Sequence, residues 1–261
     1  MSKAEDLVFP RRERVETRRK ELGDRKLLDE FFDHPTLLAV SRLINQGQFD
    51  SLDHPISIGK EGGVFRATKG PEFRAVKVYR IGNTTFRRLP EYALAELRKV
   101  TSLRNFGGLI SAWTRREHTI LGLLTDAEVR VPRPYGHFRN VLVMEYVGDA
   151  EGAAPRLRDA PIDDPAALYE DFVDQVGRMV RKAKLVHGDL SPYNVLYFED
   201  RVVLIDVAQA VGSDHSAARR LIERDIANFA KYFVRLGYPV EPDDLLAAVG
   251  GDTIGPSATE V

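Results

Sequence analysis

Apolar positions recur at helical spacing over residues 27–47, where Leu27, Leu28, Phe31 and Phe32 are followed by Leu37, Leu38, Val40, Leu43 and Ile44. This predicts helical structure divided in two by Pro35 and stopped at Gly47. From Pro55 the pattern changes to strand. Ile56–Ile58, a Gly59–Gly63 turn and Val64–Ala67 read as a hairpin, and Phe73–Tyr79 as a third strand. Residues 80–108 are polar and basic, are expected to be flexible, and carry one short helix from Tyr92 to Val100. A longer helix is expected over about Leu109–Ala127 and a strand over Asn140–Val147. The Gly/Ala/Pro-rich stretch Gly148–Pro161 reads as a linker. Asp164-Pro165 then starts a helix running to Ala183, as cap and first-turn proline. Two strands, 195–198 and 202–207, flank a Glu199-Asp200-Arg201 turn. A last long helix covers about Ala217–Leu236 before Gly237, and the tail from Gly250 reads as disordered. No internal repeat or low-complexity tract interrupts this order.

At 261 residues, 43% hydrophobic and 30% charged, the chain can bury one large core or two lobes. The absence of cysteine excludes disulfides and thiol chemistry and fits a reducing, cytoplasmic setting. No apolar stretch reaches membrane-spanning length, and the first residues lack a signal-peptide core. A formal charge of −1 gives no global pull toward nucleic acid. Residues 10–26 nonetheless concentrate eight Arg and Lys among four acidic residues. Such a mixed run is ordinarily a solvated helix face, with an RNA-facing arm as the other reading.

The chemistry concentrates in Val186-His187-Gly188-Asp189-Leu190-Ser191-Pro192-Tyr193-Asn194-Val195-Leu196, followed by Leu204-Ile205-Asp206. An Asp, an Asn five positions on, and a second Asp closing an apolar strand are the groups that handle a nucleoside triphosphate with metal. The first Asp orients or deprotonates an acceptor hydroxyl, and the Asn and second Asp hold magnesium at the phosphates. Magnesium requires hard oxygen ligands, and an amide plus a carboxylate leave positions for phosphate and water. Any one of these residues alone would be an ordinary turn residue; the whole spaced set is hard to read that way.

Two further charges sit where apolar side chains are expected. Lys77 shares a strand face with Phe73, Ala75 and Tyr79. Glu117 lies on the helix stripe Ile110, Trp113, Leu121, Leu124. A carboxylate there needs a partner, and Lys77 is the candidate; Glu96 is the alternative partner for Lys77, and a local pair with Arg115 or Arg116 the simpler fate of Glu117. The turn Gly59-x-x-Gly62-Gly63 lets backbone amides approach phosphate. It is neither G-x-G-x-x-G nor a Walker loop, and gains meaning from lying eighteen residues before Lys77.

Ile56-Ser57-Ile58-Gly59-Lys60-Glu61-Gly62-Gly63-Val64-Phe65, Ala75-Val76-Lys77-Val78-Tyr79, the His187–Asn194 loop and Ile205-Asp206-Val207-Ala208-Gln209-Ala210-Val211 together resemble the RIO family of atypical serine/threonine protein kinases. The similarity runs from about residue 30 to 237. The short stretch before Lys77 makes it most similar to the Rio-one subfamily. The resemblance implies an α+β, two-lobed protein-kinase-like fold. Its divisions would be a basic extension (1–26), an antiparallel β N-terminal lobe with helices and the flexible 80–108 loop (27–147), a truncated, mainly helical C-terminal lobe (148–249) and a disordered tail (250–261). It implies ATP and Mg2+, with Mn2+ as the alternative ion, bound in the cleft. Asp189 would be the catalytic acceptor, Asn194 and Asp206 the metal ligands, and Lys77 the phosphate ligand steered by Glu117. Gly59 and Lys60 would lie in the covering loop, and Glu145 and Val147 would present backbone groups to adenine behind Met144. It further implies a monomer engaged in maturation of the small ribosomal subunit, contacting pre-ribosomal protein and rRNA, where ATPase switching with transient phosphorylation of Asp206 accompanies or replaces protein phosphorylation. Three departures stand out: Ile58 replaces the usual Thr, Gly188 gives an H-G-D loop shared with small-molecule phosphotransferases, and Val207-Ala208 replaces Met-Gly.

Only 55 residues follow Asp206, with no A-P-E sequence, so the platform that ordinary protein kinases use for extended peptides is not expected. Autophosphorylation within 80–108 (Thr84, Thr85, Thr101 or Ser102), or one docked macromolecular target, is the expected outcome. The alternatives are a small-molecule phosphotransferase of the aminoglycoside or choline kinase type, and a non-catalytic scaffold binding nucleotide or RNA.

Overall fold

A computed structural model describes residues 32–60, 62–81, 89–98 and 106–255. The basic stretch 10–26, the expected helical residues 27–31, Glu61, and Thr84, Thr85, Thr101 and Ser102 lie outside the described residues. The chain divides into two compact units, residues 1–118 with 134–146, and residues 119–133 with 147–261.

In the first unit, helix α1 (His34–Asn45) begins where the Asp33 carboxylate accepts from the Thr36 amide at 2.9 Å. The segment expected before Pro35 lies outside the described residues, and Pro35 itself opens α1. It sits in the first turn, where its missing N–H leaves no helical bond unmade. Gly47, at φ 72°, follows the end of the helix in the left-handed conformation that suits glycine. Strands β1 (Ser51–Ile58), β2 (Gly62–Lys69), β3 (Glu72–Tyr79), β4 (Pro134–Phe138) and β5 (Val141–Glu145) form an antiparallel sheet in the order β1-β2-β3-β5-β4. Strand alternation puts Val76 and Val78 on one face, where they pack with Phe65, Ala67, Val141 and Val143 and with Ala39, Val40 and Leu43 of α1. Lys77, paired with Val64 and Leu142, belongs to the opposite face. Asn140 fixes the β4–β5 turn: its side-chain amide donates to the Tyr79 carbonyl at 2.8 Å and to Thr36 Oγ1 at 2.9 Å.

Helix α2 (Glu91–Arg98) precedes helix α3 (Phe106–Asp126), which belongs to the first unit as far as His118 and to the second from Thr119. The sequence pattern placed all of residues 27–147 in one lobe. A continuous apolar stripe carries no mark of where a helix changes neighbours.

The second unit is built on α4 (Pro165–Arg181) and α5 (Ala218–Arg235). Asp164 caps α4 by accepting from the Ala166 and Ala167 amides, both at 3.0 Å. Phe172 of α4 stacks on Phe229 of α5 with ring centroids 4.1 Å apart, and Phe233 closes on Phe172 edge-on. Between these helices lie the short pairs β6 (Leu185–Val186) with β9 (Val211–Gly212) and β7 (Val195–Phe198) with β8 (Arg201–Leu204). A seven-residue helix, α6 (Pro242–Ala248), buries Leu245 and Leu246. Residues 250–255 do not fit the disordered tail read from sequence. Gly251–Thr253 form a 3-10 turn and Ile254 is buried. Among the described residues no helix is long and apolar enough to cross a membrane.

Candidate active site

In the first unit, β3 and α3 bring the two anomalous charges together. Lys77 Nζ donates to Glu117 Oε1 at 2.7 Å, and the Tyr79 hydroxyl donates to Glu117 Oε2. Both Glu117 oxygens are therefore engaged, and its side chain is 2% exposed against 12% for that of Lys77. Glu117 turns inward on the stripe it was expected to occupy, with Ile110, Trp113, Leu121 and Leu124 all buried. The ion pair fixes the ammonium on a sheet face.

The β1–β2 turn closes through a bond from the Gly59 amide to the Gly62 carbonyl at 2.9 Å. Gly62 carries the steric demand there. A Cβ at Gly62 would stand 2.4 Å from the Val78 carbonyl oxygen, whereas one at Gly59 would meet only ordinary contact. Lys60 follows Gly59 and is exposed. At the end of β5, Met144 is half-buried and paired with Ala75, and Glu145 is exposed and paired with Arg74. Val147 opens the second unit. Its carbonyl accepts from the Ala154 amide at 3.0 Å, so its N–H is the polar group it could offer to a base.

In the second unit, the His187–Asn194 loop is held from three sides. The Gly188 amide donates to Asp225 Oδ2 at 2.9 Å, and Arg224 donates to the Gly188 carbonyl. Gly188, at φ 78°, occupies a backbone region that favours glycine, so the H-G-D form has a local conformational reason. His187 is buried, with Nε2 3.0 Å from the Ile205 carbonyl. Asn194 Nδ2 donates to the Asp189 carbonyl at 2.8 Å and to Asp189 Oδ2 at 3.1 Å, which directs its Oδ1 away from Asp189. The Ile205 amide donates to the Asn194 carbonyl at 3.0 Å, bringing Asp206 beside Asn194. Asp206 is held at φ 59°, ψ 44°, a left-handed conformation uncommon outside glycine, directly before the 3-10 turn Val207–Gln209. The expected strand 202–207 thus ends at Leu204, and Asp206 sits on the bend that follows.

Burial raises the pKa of Asp189 above its ordinary value. His187 and Arg224 pull it down, as does the Asn194 hydrogen bond, and Asp206 pushes it up. Burial likewise raises that of Asp225, against His187, the Leu190 backbone and Arg224. Among the described residues no three His, Asp or Glu side chains cluster as a metal site. Asn194 and Asp206 would be two oxygen ligands of an open shell, which suits an ion that keeps waters and substrate phosphates.

Sequence reasoning assigned no role to Tyr79, Gln209, Arg224 or Asp225. Gln209 Nε2 donates to Asp189 Oδ2 at 3.3 Å. Tyr79 was legible in principle, lying two positions from Lys77 on one strand face. Asp225 was legible as a carboxylate on the buried face of α5. The supposed linker is also structural: Leu157 and Arg158 amides donate to the Val195 and Pro192 carbonyls at 2.8 and 3.0 Å, and Tyr197 donates to Pro155 at 3.0 Å.

Residues 63–245 match the family model described as RIO domain. The chain is 38% identical over 236 residues to the RIO-type serine/threonine-protein kinase Rio1 of Haloferax volcanii, covering 90% of this chain and 81% of that protein. To the protein of the same description from Thermoplasma acidophilum it is 39% identical over 184 residues, covering 70% and 96%. Among solved structures, the Rio2 kinase from Chaetomium thermophilum aligns with a TM-score of 0.64 at 23% identity, over 86% of this chain and 68% of that one, which shows the shared fold. A structure of that kinase as an ADP/Mg2+-phosphoaspartate complex aligns at 0.62 and 24% identity, over 84% and 67%. The family match over most of the chain and the identity to Rio1-type relatives lead to one conclusion: this chain belongs to the RIO family of serine/threonine-protein kinases and is of the Rio1 type.

Proposed function

We propose that the chain uses ATP and Mg2+ to transfer the γ-phosphoryl group to a serine or threonine hydroxyl, in itself or in one docked target. The observation that carries this reading is the Ile205–Asn194 backbone bond. It sets Asp206 beside an Asn194 whose amide nitrogen is already spent on Asp189, so that an amide oxygen and a carboxylate can serve one magnesium ion. Bound there, the ion would neutralise phosphate charge. Lys77, steered by Glu117, contacts phosphate oxygens. Gly59 and Lys60 cover them, and the backbones of Glu145 and Val147 meet the base beside Met144. Asp189 orients the acceptor hydroxyl and takes its proton as the new O–P bond forms and the bond to the leaving ADP oxygen breaks. With water as acceptor the same groups give ATP hydrolysis. A phosphoaspartate at Asp206 is a third outcome of the same chemistry, as the description of the Rio2 complex suggests for that kinase. The resemblance further supports work on the small ribosomal subunit precursor as the cellular setting, in the cytoplasm.

The test is incubation with γ-labelled ATP and Mg2+, alone and with purified ribosomal subunits, comparing wild type with Asp189→Ala. Label on protein, or released phosphate, that is lost in the variant supports the reading. Label appearing only in an added aminoglycoside or choline would overturn it in favour of a small-molecule phosphotransferase.

A further inference from the structure

The surface formed by α1 and the β4–β5 hairpin is built from two segments without acidic residues. Neither His34–Phe49 nor Pro134–Met144 contains an Asp or Glu, although the chain has 39. At the chain's average frequency these segments would hold about four. Three carboxylates border the segments: Asp33 accepts from Thr36, Asp50 accepts from Lys69 and the Gly70 amide, and Glu145 lies exposed at the end of β5 opposite Arg74.

Within this acid-free region, cations are laid on aromatic rings. The exposed Arg42 guanidinium lies 4.2 Å from the Phe138 ring centroid, and the exposed Arg139 lies 5.5 Å from the same ring. Arg139 holds a positive φ of 51° at the tip of the β4–β5 turn, directly before the anchored Asn140. Further along, Arg74 lies 3.8 Å from the Tyr135 ring, though Glu72 answers its charge. Leu38, one helical turn before Arg42, is 46% exposed. Phe138 and Tyr135 pack on the buried core, so the rings have little freedom and the guanidinium planes are held with them.

A guanidinium resting on a ring is a flat cation with its other face outward. That face can stack a nucleobase, while its N–H groups reach phosphate. The absence of carboxylates removes the repulsion a polyanion would meet. We propose that the α1/β4–β5 surface binds single-stranded nucleic acid, with Arg42 and Arg139 stacking bases or gripping phosphates and Leu38 giving an apolar contact. RNA and DNA share this chemistry. This surface contains none of the residues of the basic stretch 10–26. The proposal deepens the ribosomal reading by naming a surface, yet it stands on geometry that requires no phosphotransfer.

The experiment is fluorescence anisotropy of the full chain, without nucleotide, against labelled single strands of about twelve nucleotides. RNA, DNA, a duplex and an acidic peptide are compared over a salt series. Single strands are expected to bind more tightly than the duplex, with RNA preferred if the 2′-hydroxyl is contacted and RNA and DNA equal if it is not. The double variant Arg42→Gln/Arg139→Gln is expected to bind about tenfold more weakly, with the salt slope reduced by about 1.4, or 0.7 per lost phosphate contact. Arg42→Lys/Arg139→Lys should keep the slope and lose affinity, since charge remains without the planar face. Turnover of ATP should be unchanged in both variants, which separates failure here from failure of the kinase reading. Unchanged affinity in the Gln variant, binding confined to the acidic peptide, or equal loss in both variants alongside a lowered melting temperature would overturn the proposal.

Discussion

Replacing Glu117 tests the first half of the site most sharply. The side chain is 2% exposed, accepts from Lys77 at 2.7 Å, and also accepts from the Tyr79 hydroxyl. At an effective dielectric of about 20, two unit charges at this separation attract by about 6 kcal/mol, and the cost of desolvating both offsets much of that. Truncation to Ala removes the carboxylate that meets the largely buried Lys77 ammonium and the Tyr79 hydroxyl. Removing one partner of such a pair costs about 3–5 kcal/mol. Glu117→Ala should therefore lower the unfolding free energy measured by urea denaturation by that amount, whereas Glu117→Gln, which can still accept hydrogen bonds, should lose about half as much. Affinity for ATP, read by calorimetry, should fall about tenfold or more in both, because Lys77 is no longer steered. If Glu117→Gln matched wild type in stability to within about 0.5 kcal/mol and bound ATP equally, the pair would be incidental and the reasoning wrong.

Three further outcomes follow from the same geometry. Gly62→Ala should destabilise the β1–β2 hairpin by about 1–3 kcal/mol and raise the KM for ATP, because its Cβ would stand 2.4 Å from the Val78 carbonyl; an unchanged melt would contradict this. Asp225→Ala leaves the buried Gly188 amide without its acceptor, so kcat should fall with little change in KM for ATP, and a variant affecting only KM would speak against a loop-positioning role. The rings of His118 and His137 lie 4.8 Å apart, and burial lowers the pKa of each below the ordinary 6.5, with the neighbouring His118 and Arg115 also lowering that of His137. The unfolded chain then binds protons that the folded chain refuses. Stability should be full above about pH 6.5 and decline as pH falls below it; a His118→Gln/His137→Gln variant with the same decline, measured by denaturant unfolding, would refute that assignment.

The parts of the fold that break a local rule were the parts legible in the sequence. Lys77 and Glu117 are charges on apolar faces, and that anomaly alone paired β3 with α3. Asp164-Pro165 marked the start of α4 because cap and first-turn proline act locally. β4 gave no such signal: Pro134-Tyr135-Gly136 breaks the alternation with a register shift, and its strand character comes from pairing with β5. α6 is too short for a helical period to show. Gly148–Pro161 read as a linker because its ordering comes from backbone bonds to Pro192 and to β7, which side-chain pattern does not encode. The spaced Asp189, Asn194 and Asp206 were visible, but the αL bend at Asp206 and the supports from Gln209 and Asp225 depend on tertiary packing.

The central claim is that Asp189, Asn194 and Asp206 act together on magnesium and ATP. It is tested most directly by single-turnover transfer from γ-labelled ATP, titrated with Mg2+, in wild type, Asp189→Asn and Asp206→Asn. The account predicts Mg2+-dependent transfer or hydrolysis in wild type. Asp189→Asn should still bind Mg-ATP but turn over at least about a hundredfold more slowly, and Asp206→Asn should lose the magnesium-dependent part of binding as well. Wild-type turnover without added divalent ion in the presence of chelator, or full activity in Asp189→Asn, would contradict it.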